Sequence, residues 1–319
     1  MKYERLDQLP PESLAARDHA TQQDRGDVVQ LVRDGVAASG RDPADLTYEV
    51  QLAKMGPGKL DVGEYFRYRM HEHDAAGRRR FVSDRLHWLV HQACNDPELS
   101  AVTESKWACT RALEAAGLPT IPILAVLNPG EAPRPGARPV STASELGDFL
   151  RSAALPLFAK PDELLGSFGA MRLTGFDGGA VEANGVAVPV QDVLDRWLAG
   201  VGYVVQPLVA NHQRIREFAQ GLATIRTVNF VGPDGHRTSH AIYKIPAGGN
   251  IADNFWRKGN LLADIDVDTG VIRRVVRGAG PYRELLEAHP DTGRVLTGFE
   301  LPLWADVLAL NEACVRHFS

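Results

Sequence analysis

Cysteine is scarce in this chain: Cys94, Cys109 and Cys314 are all it has among 319 residues. An odd number at wide, irregular spacing argues against a disulfide framework and against a cysteine metal site. Reduced thiols of this kind lead us to expect a cytoplasmic protein. An excess of one charge is lacking too. The net charge of −5 gives no electrostatic reason to expect nucleic acid or an anionic membrane as the main partner. No apolar run approaches the length needed to span a bilayer, and the opening MKYERLDQLPPESLAARD has no apolar signal region, so no membrane insertion is expected. Neither G-x-x-x-x-G-K-[ST] nor G-x-G-x-x-G occurs. What is present is 44% hydrophobic and 24% charged residues, the make-up of a globular protein with a sizeable core. The length fits two domains, or one large domain with an appended segment.

The segment LPLFAKPDELLGSFGAMRLTG, Leu155 to Gly175, is the most informative. An apolar run ends on Lys160 and Pro161, a loop with Gly166, Ser167 and Gly169 follows, and Met171 to Thr174 can resume a strand. A lysine at the end of a buried strand is a fixed point charge suited to a phosphate. Glycines let backbone N–H groups approach the same phosphate. An ordinary hairpin with an exposed lysine fits this segment equally well.

Three parts follow from the patterning. Residues 1–117 read as mainly helical, with helices over Asp24–Ala38, Val62–His71, Phe81–Cys94 and Ser105–Ala116. In the third of these Leu86, Leu89 and Val90 form the apolar side, and Gly117 stops the last. Residues 118–209 alternate strands and helices: Ile121–Leu127, a proline- and glycine-rich loop over 129–140, a helix begun by Ser141–Glu145, the lysine strand and glycine loop, a helix over Val190–Ala199 and a strand over Gly202–Leu208. Residues 210–319 begin as two hairpins, Thr224–Val231 with Thr238–Ile245 and Leu261–Val267 with Val271–Val276, and close with a helix, Leu301–Phe318.

Along this frame cations recur between apolar neighbours. Lys106 precedes GLPTIP, Lys160 ends a strand, Arg226 lies in TIRTVNF and Lys244 in AIYKIP. Gln206 lies in YVVQPLV, and Asp253, Asn254, Lys258 and Gly259 lie in GGNIADNFWRKGN. Such a string suits an anionic ligand of high charge, and Arg226 can pair bidentately with phosphate or carboxylate oxygens. Cross-strand surface pairs and snorkelling side chains explain Arg226 and Lys244 without any ligand.

Taken together these segments resemble the ATP-grasp superfamily, most closely its sugar-transfer-associated branch, from about Leu52 onward. SKWACTRALEAAGLPTIP resembles the helix carrying a first lysine, and LPLFAKPDELLGSFGAMRL the second lysine with its glycine-rich flap. YVVQPLV resembles the adenine hinge. GLATIRTVNF, AIYKIPAGG and IADNFWRKGN resemble the arginine strand, the basic strand and a D-N-x-x-x-G-[GN] turn. MGPGKLDVGEYFRYRM resembles the branch's N-terminal helical segment. The resemblance implies an α+β, ATP-grasp-like fold in which two α/β subdomains, 118–209 and 210–319, enclose a nucleotide site beside an N-terminal helical segment.

It also implies a ligase using ATP and Mg2+. ATP would phosphorylate a small-molecule carboxylate, and an amine or similar nucleophile would attack the acyl phosphate, in work linked to sugar transfer. Lys106 and Lys160 would hold the α- and β-phosphates, and Gly166, Ser167 and Gly169 would close over them. Gln206 with backbone Leu208 would read adenine, and Asp253 and Asn254 would belong to the cofactor site. Arg226 would stabilise the transferring phosphoryl group, with Lys244 assisting. Nothing in the sequence indicates the oligomeric state.

The family usually ends with an aspartate strand and an E-x-N strand that ligate magnesium. No such pair follows Leu301–Phe318 in these 319 residues, so the metal ligands stay unassigned, with Asp253, Asp264, Asp266 and Asp268 as possible substitutes. Asp268-Thr-Gly270 is more simply a hairpin turn. The readings left open are a truncated copy, an enzyme with rearranged metal ligands and a non-catalytic nucleotide- or glycan-binding relative. A structural or interaction protein of α/β type is a further one. His71, His73, His87 and His91 lack a metal motif and read as helix surface, Arg78-Arg79-Arg80 as a solvated run, and the five tryptophans as packing residues, with Trp256, beside Asp253 and Asn254, the one that could instead line a substrate pocket.

Overall fold

Helical periodicity organises the first hundred residues of the computed structural model, which describes residues 8–22, 28–130 and 134–318. Helices α1 (Leu14–Gln22), α2 (Val28–Ser39), α3 (Pro43–Met55), α4 (Val62–Arg67), α5 (Asp84–Cys94), α6 (Pro97–Glu104) and α7 (Lys106–Ala115) follow in order, with shorter turns between them. The first residues of the helix expected from Asp24, and part of the loop expected over 129–140, lie outside the described residues.

Asp61 and Glu64 start α4 with reciprocal side-chain bonds, 2.7 Å to the Glu64 N–H and 2.9 Å from the Asp61 N–H. That places Tyr65 and Phe66 inward beside Leu31, Leu46 and Met70. Each fully buried aromatic of this kind contributes about 1.5–3 kcal/mol. Beneath them Glu49 accepts from Arg41 (3.0 and 2.9 Å) and the Tyr65 hydroxyl (2.5 Å) and pairs with Arg78 (3.1 Å). Burial opposes ionisation of Glu49, yet the bonds from Arg41, Tyr65 and Arg78 prevail and hold its carboxyl down at about 2. The helix expected over Phe81–Cys94 forms, but Leu89 and Val90 are 55% and 58% exposed, so its expected apolar side is uncovered by the described residues.

Period-two alternation then builds two sheets. The first contains β1 (Ala125–Leu127), β2 (Arg138–Val140), β3 (Leu157–Pro161), β4 (Met171–Asp177), β5 (Ala180–Ala183), β6 (Val186–Pro189) and β7 (Tyr203–Pro207), in the order β2-β1-β7-β3-β4-β5-β6. β1 and β2 run parallel and the other neighbours antiparallel. Leu157, Ala159, Met171, Tyr203 and Val205 pack on one face beneath α8 (Ala143–Ser152) and a π-helical turn, Val193–Leu198. Thr142 and Glu145 form the capping box that starts α8, as the serine- and threonine-rich run suggested.

The second sheet is antiparallel, β12-β11-β10-β9-β8, from β8 (Thr224–Gly232), β9 (Gly235–Ile245), β10 (Leu261–Ile265), β11 (Ile272–Arg277) and β12 (Glu284–Leu286). Tyr243, Ile245, Leu261, Ala263 and Val275 form its buried face against α9 (Trp304–His317). Gly270, at φ +74°, turns the β10–β11 hairpin, and an added Cβ there would lie 2.4 Å from the Trp304 ring. The chain thus adopts the expected α+β architecture, two sheets with helical layers and a helical N-terminal segment.

Candidate functional site

In β3 the side chains alternate, so Leu157, Ala159 and Pro161 enter the core while Phe158 and Lys160 point to the other face. Asp162 follows and is 3% exposed. One of its oxygens accepts the Trp107 N–H at 2.8 Å, and the other accepts the Ser105 hydroxyl at 2.9 Å and pairs with Arg134 at 3.2 Å. Its carbonyl accepts the Lys106 N–H at 3.2 Å. The start of α7 is thereby stapled to the end of β3, which brings Lys106 and Lys160 to one place. The Lys106 ammonium donates to the carbonyls of Asp162 (2.9 Å) and Leu164 (2.7 Å).

The glycine loop arches beside this staple. Gly166, Ser167 and Gly169 have φ of +73°, +60° and +74°. Asn254 Nδ2 donates to Gly166 O at 2.6 Å, and Arg257 Nη2 to Ser167 O at 2.9 Å. The Gly169 N–H donates to Asp18 at 3.0 Å.

The second sheet supplies the opposite wall. Direct cross-strand partners share a face, so Thr224 with Lys244, and Arg226 with Ile242 and Asp264, lie opposite the core face of that sheet. Lys244 Nζ lies 2.6 Å from Asp253, and the Thr224 hydroxyl also bonds that carboxylate.

Between the two sheets lies a cleft of about 1060 Å3. Lys106, Lys160, Gly166, Ser167, Gln206, Leu208, Arg226, Lys244 and Asp253 all line it. Gly169 and Asn254 do not; they fasten the loop instead. Gln206, 6% exposed, spends its amide N–H on Ile121 O at 2.7 Å, and the Leu208 N–H is bonded to Pro156 O at 3.1 Å. The Leu208 carbonyl, the Gln206 Oε1 and the second Gln206 amide hydrogen are what these two residues have left to offer the cleft.

Among the described residues the side chains of Lys160, Arg172 and Arg226 show no hydrogen bond or ion pair, although all three line the cleft. Burial pushes the Lys160 ammonium below its ordinary pKa, and the charge of Asp253 partly opposes this.

Arg172 was not among the expected site residues. The signal was there in the alternation: Met171 and Leu173 are buried, so Arg172 between them faces the cleft beside Phe158. Arg257 and Asp18 gave no such signal, because they act across long stretches of chain. His289 also lines the cleft, 2% exposed, its Nε2–H directed at Pro246 O at 3.2 Å and its Nδ1 accepting from the Asp291 N–H at 3.3 Å.

The described residues offer no ready-made metal site, although magnesium needs only one or two carboxylates beside phosphate oxygens and Asp264 lies on the same sheet face as Arg226. Among the described residues no group of three His, Cys, Asp or Glu side chains could hold a metal ion. Asp253 is neutralised by Lys244. Asp266 accepts the N–H groups of Asp268 and Thr269 (3.0 and 2.9 Å) and pairs with Arg273, which makes it the cap of the hairpin turn. The turn expected at Asp268 is therefore in place, and no metal role for Asp266 or Asp268 is built here.

No curated protein matches the chain. The ATP-grasp resemblance is supported from a second direction: residues 190–319, which carry Gln206, Arg226, Lys244 and Asp253, match the family described as sugar-transfer associated ATP-grasp, and the two-sheet α+β fold is consistent with it.

Proposed function

We propose that the cleft binds ATP and that the protein is an ATP-dependent ligase, joining a small-molecule carboxylate to a nucleophile through an acyl phosphate. The observation that carries this reading is the convergence of three cations with no ion pair among the described residues, Lys160, Arg172 and Arg226, on one cleft between two sheets. Burial disfavours the Lys160 charge unless an anion completes it, and the exposed Arg172 and Arg226 add positive potential that attracts one. Lys160 and Lys106 would bind the α- and β-phosphates, and the loop Gly166–Gly169 would cover them. Gln206 Oε1 and the Leu208 carbonyl would accept from the adenine amino group. Arg226, with Lys244 beside it, would neutralise charge on the transferring group, where positioning and electrostatics dominate catalysis.

In the first step a carboxylate oxygen bonds to the γ-phosphorus while the bond to the β–γ bridging oxygen breaks, and ADP leaves. In the second the nucleophile attacks the acyl carbon, and inorganic phosphate leaves with the electron pair. The family's description names an association with sugar transfer, which makes sugar conjugates that carry a carboxylate our choice of class to test first.

A second reading, a nucleotide-binding relative without turnover, fits the lack of a group of three metal-ligating side chains among the described residues. Thermal unfolding titrated with ATP, with and without magnesium, tests the shared premise. A ligand-dependent rise in Tm supports nucleotide binding, and none at millimolar ATP removes both readings. ADP release that requires an added carboxylate and nucleophile then separates ligase from binding protein.

A further inference from the structure

We infer that Asp18 and Arg257 form a latch that sets the closed pose of the glycine loop, so that helix α1 positions the phosphate-binding loop and governs nucleotide exchange. The second half of this rests on the ATP reading above; the first half does not.

One carboxylate oxygen of Asp18 accepts both the Gly169 N–H and Arg257 Nη2, each at 3.0 Å. The same Arg257 nitrogen donates to Ser167 O at 2.9 Å. Both side chains are largely withdrawn from solvent, 23% exposed for Asp18 and 16% for Arg257. Asn254, three residues before Arg257, adds its amide to Gly166 O at 2.6 Å. The loop is therefore gripped at three places within four residues, Gly166, Ser167 and Gly169, by two segments that lie far from it in sequence.

Apolar contact reinforces the grip. Phe168, 2% exposed, packs with Ala15, which is fully buried, and meets the His19 ring edge-on at 5.1 Å. Helix α1 approaches so closely that a Cβ on Gly169 would lie 3.0 Å from that of Ala15 and 2.4 Å from the Tyr203 hydroxyl. Ser167 holds φ +60°, a conformation that a residue with a side chain keeps only where its surroundings impose it.

A glycine-rich loop without such ties is costly to order and samples open states readily. Here the ties are charge-assisted bonds, the stronger kind. Opening the loop means breaking the Asp18 contacts and withdrawing Phe168 from α1 together. Asp18 and Arg257 touch neither phosphate nor substrate in this scheme; they are positioning residues.

The test is amide hydrogen exchange over residues 163–170 in the nucleotide-free protein, in wild type, Asp18→Asn, Arg257→Met and the double variant. Circular dichroism monitors folding. Each single variant should speed exchange in the loop by about tenfold, and the double variant by no more than either single one, because both break one element. Exchange in β3 and β7 should not change. Arg257→Lys, which keeps the charge but not the fork, replaces Arg257→Met should that variant fail to fold, and should give an intermediate rate. Loop exchange equal to wild type, or fully additive rates in the double variant, would overturn the latch. Stopped-flow release of a fluorescent ATP analogue gives the second arm: dissociation should accelerate more than Kd rises. Unchanged dissociation in a variant with fast loop exchange would refute the control of nucleotide exchange while leaving the latch standing. Failure of wild type to bind the analogue would instead refute the ATP reading.

Discussion

Lys244 and Asp253 neutralise one another inside the cleft, ammonium to carboxylate at 2.6 Å with 17% and 13% of the side chains exposed. Lys160 feels the same carboxylate without bonding to it. Asp253 thus satisfies one cation of the cleft, Lys244, and acts on another, Lys160, only through its charge.

Asp253→Asn removes the charge and keeps an acceptor for the Thr224 hydroxyl. ATP affinity should rise about threefold to tenfold, since a nearby like charge is removed from the ligand's surroundings. The ligand-free protein should melt at a lower temperature, because Lys244 loses its partner. Calorimetric titration and thermal unfolding read the two effects; weaker ATP binding would show that Asp253 contacts the ligand instead.

Lys160→Ala should lower ATP affinity about tenfold or more, the loss of one charge-assisted bond worth about 1.5–3 kcal/mol. The wild type adds a pH signature. Its ammonium deprotonates below the ordinary lysine value of 10.5 in the folded, ligand-free state, and a bound polyphosphate favours the protonated form. Affinity should therefore fall as pH rises through that lowered value, with proton uptake on binding. A flat affinity across the alkaline range would remove Lys160 from the site.

Arg172→Ala tests the cation that the motif comparison passed over. The side chain is exposed and makes no hydrogen bond or ion pair with the described residues, so stability should change by less than about 0.5 kcal/mol. Affinity for ATP and for inorganic triphosphate should drop several-fold alike, and less so at high salt. A loss confined to ATP would move Arg172 from the phosphates to the nucleoside.

Glu49 gives a stability prediction away from the cleft. Its carboxyl is depressed from 4.5 to about 2 in the folded state. The folded state therefore binds the proton less readily than the unfolded one, and the contribution is complete above about 4.5 and is lost as pH falls towards 2. The Tm difference between wild type and Glu49→Gln should be widest near neutrality and shrink across that window. A difference that stays constant down to pH 2 would refute the assignment of its stability to this ion cluster.

Much of this architecture could be read from local pattern. Alternation fixed which residues of β3 face inward and left Lys160 outside the core, and the Asp–Thr–Gly run after β10 announced its hairpin. Thr142 and Glu145 announced α8 through hydroxyl and carboxylate at cap spacing. Other features had no local cause. Leu89 and Val90 sit at helical spacing yet stay exposed, because spacing says which side is apolar and not what covers it. Gly169 was expected in the loop over the phosphates and Asn254 in the cofactor site; in the structure they bond Asp18 and Gly166, contacts that only folding brings together. Backbone Leu208 was expected to meet adenine; its N–H bonds Pro156 O, which leaves its carbonyl for that contact.

The staple at Asp162 has a genetic corollary. Lys106 and Lys160 come from different elements, but the position of one relative to the other depends on a single carboxylate and its own carbonyl. A substitution at position 162 keeps the carbonyl but removes the carboxylate bonds to Ser105, the Trp107 N–H and Arg134, which lets the start of α7, and Lys106 with it, shift relative to Lys160 without touching either lysine. In a screen for loss of nucleotide binding, Asp162 should therefore appear as a hit that partly masks the Lys106 allele: adding Lys106→Ala to an Asp162 variant would worsen it less than the same change worsens the wild type.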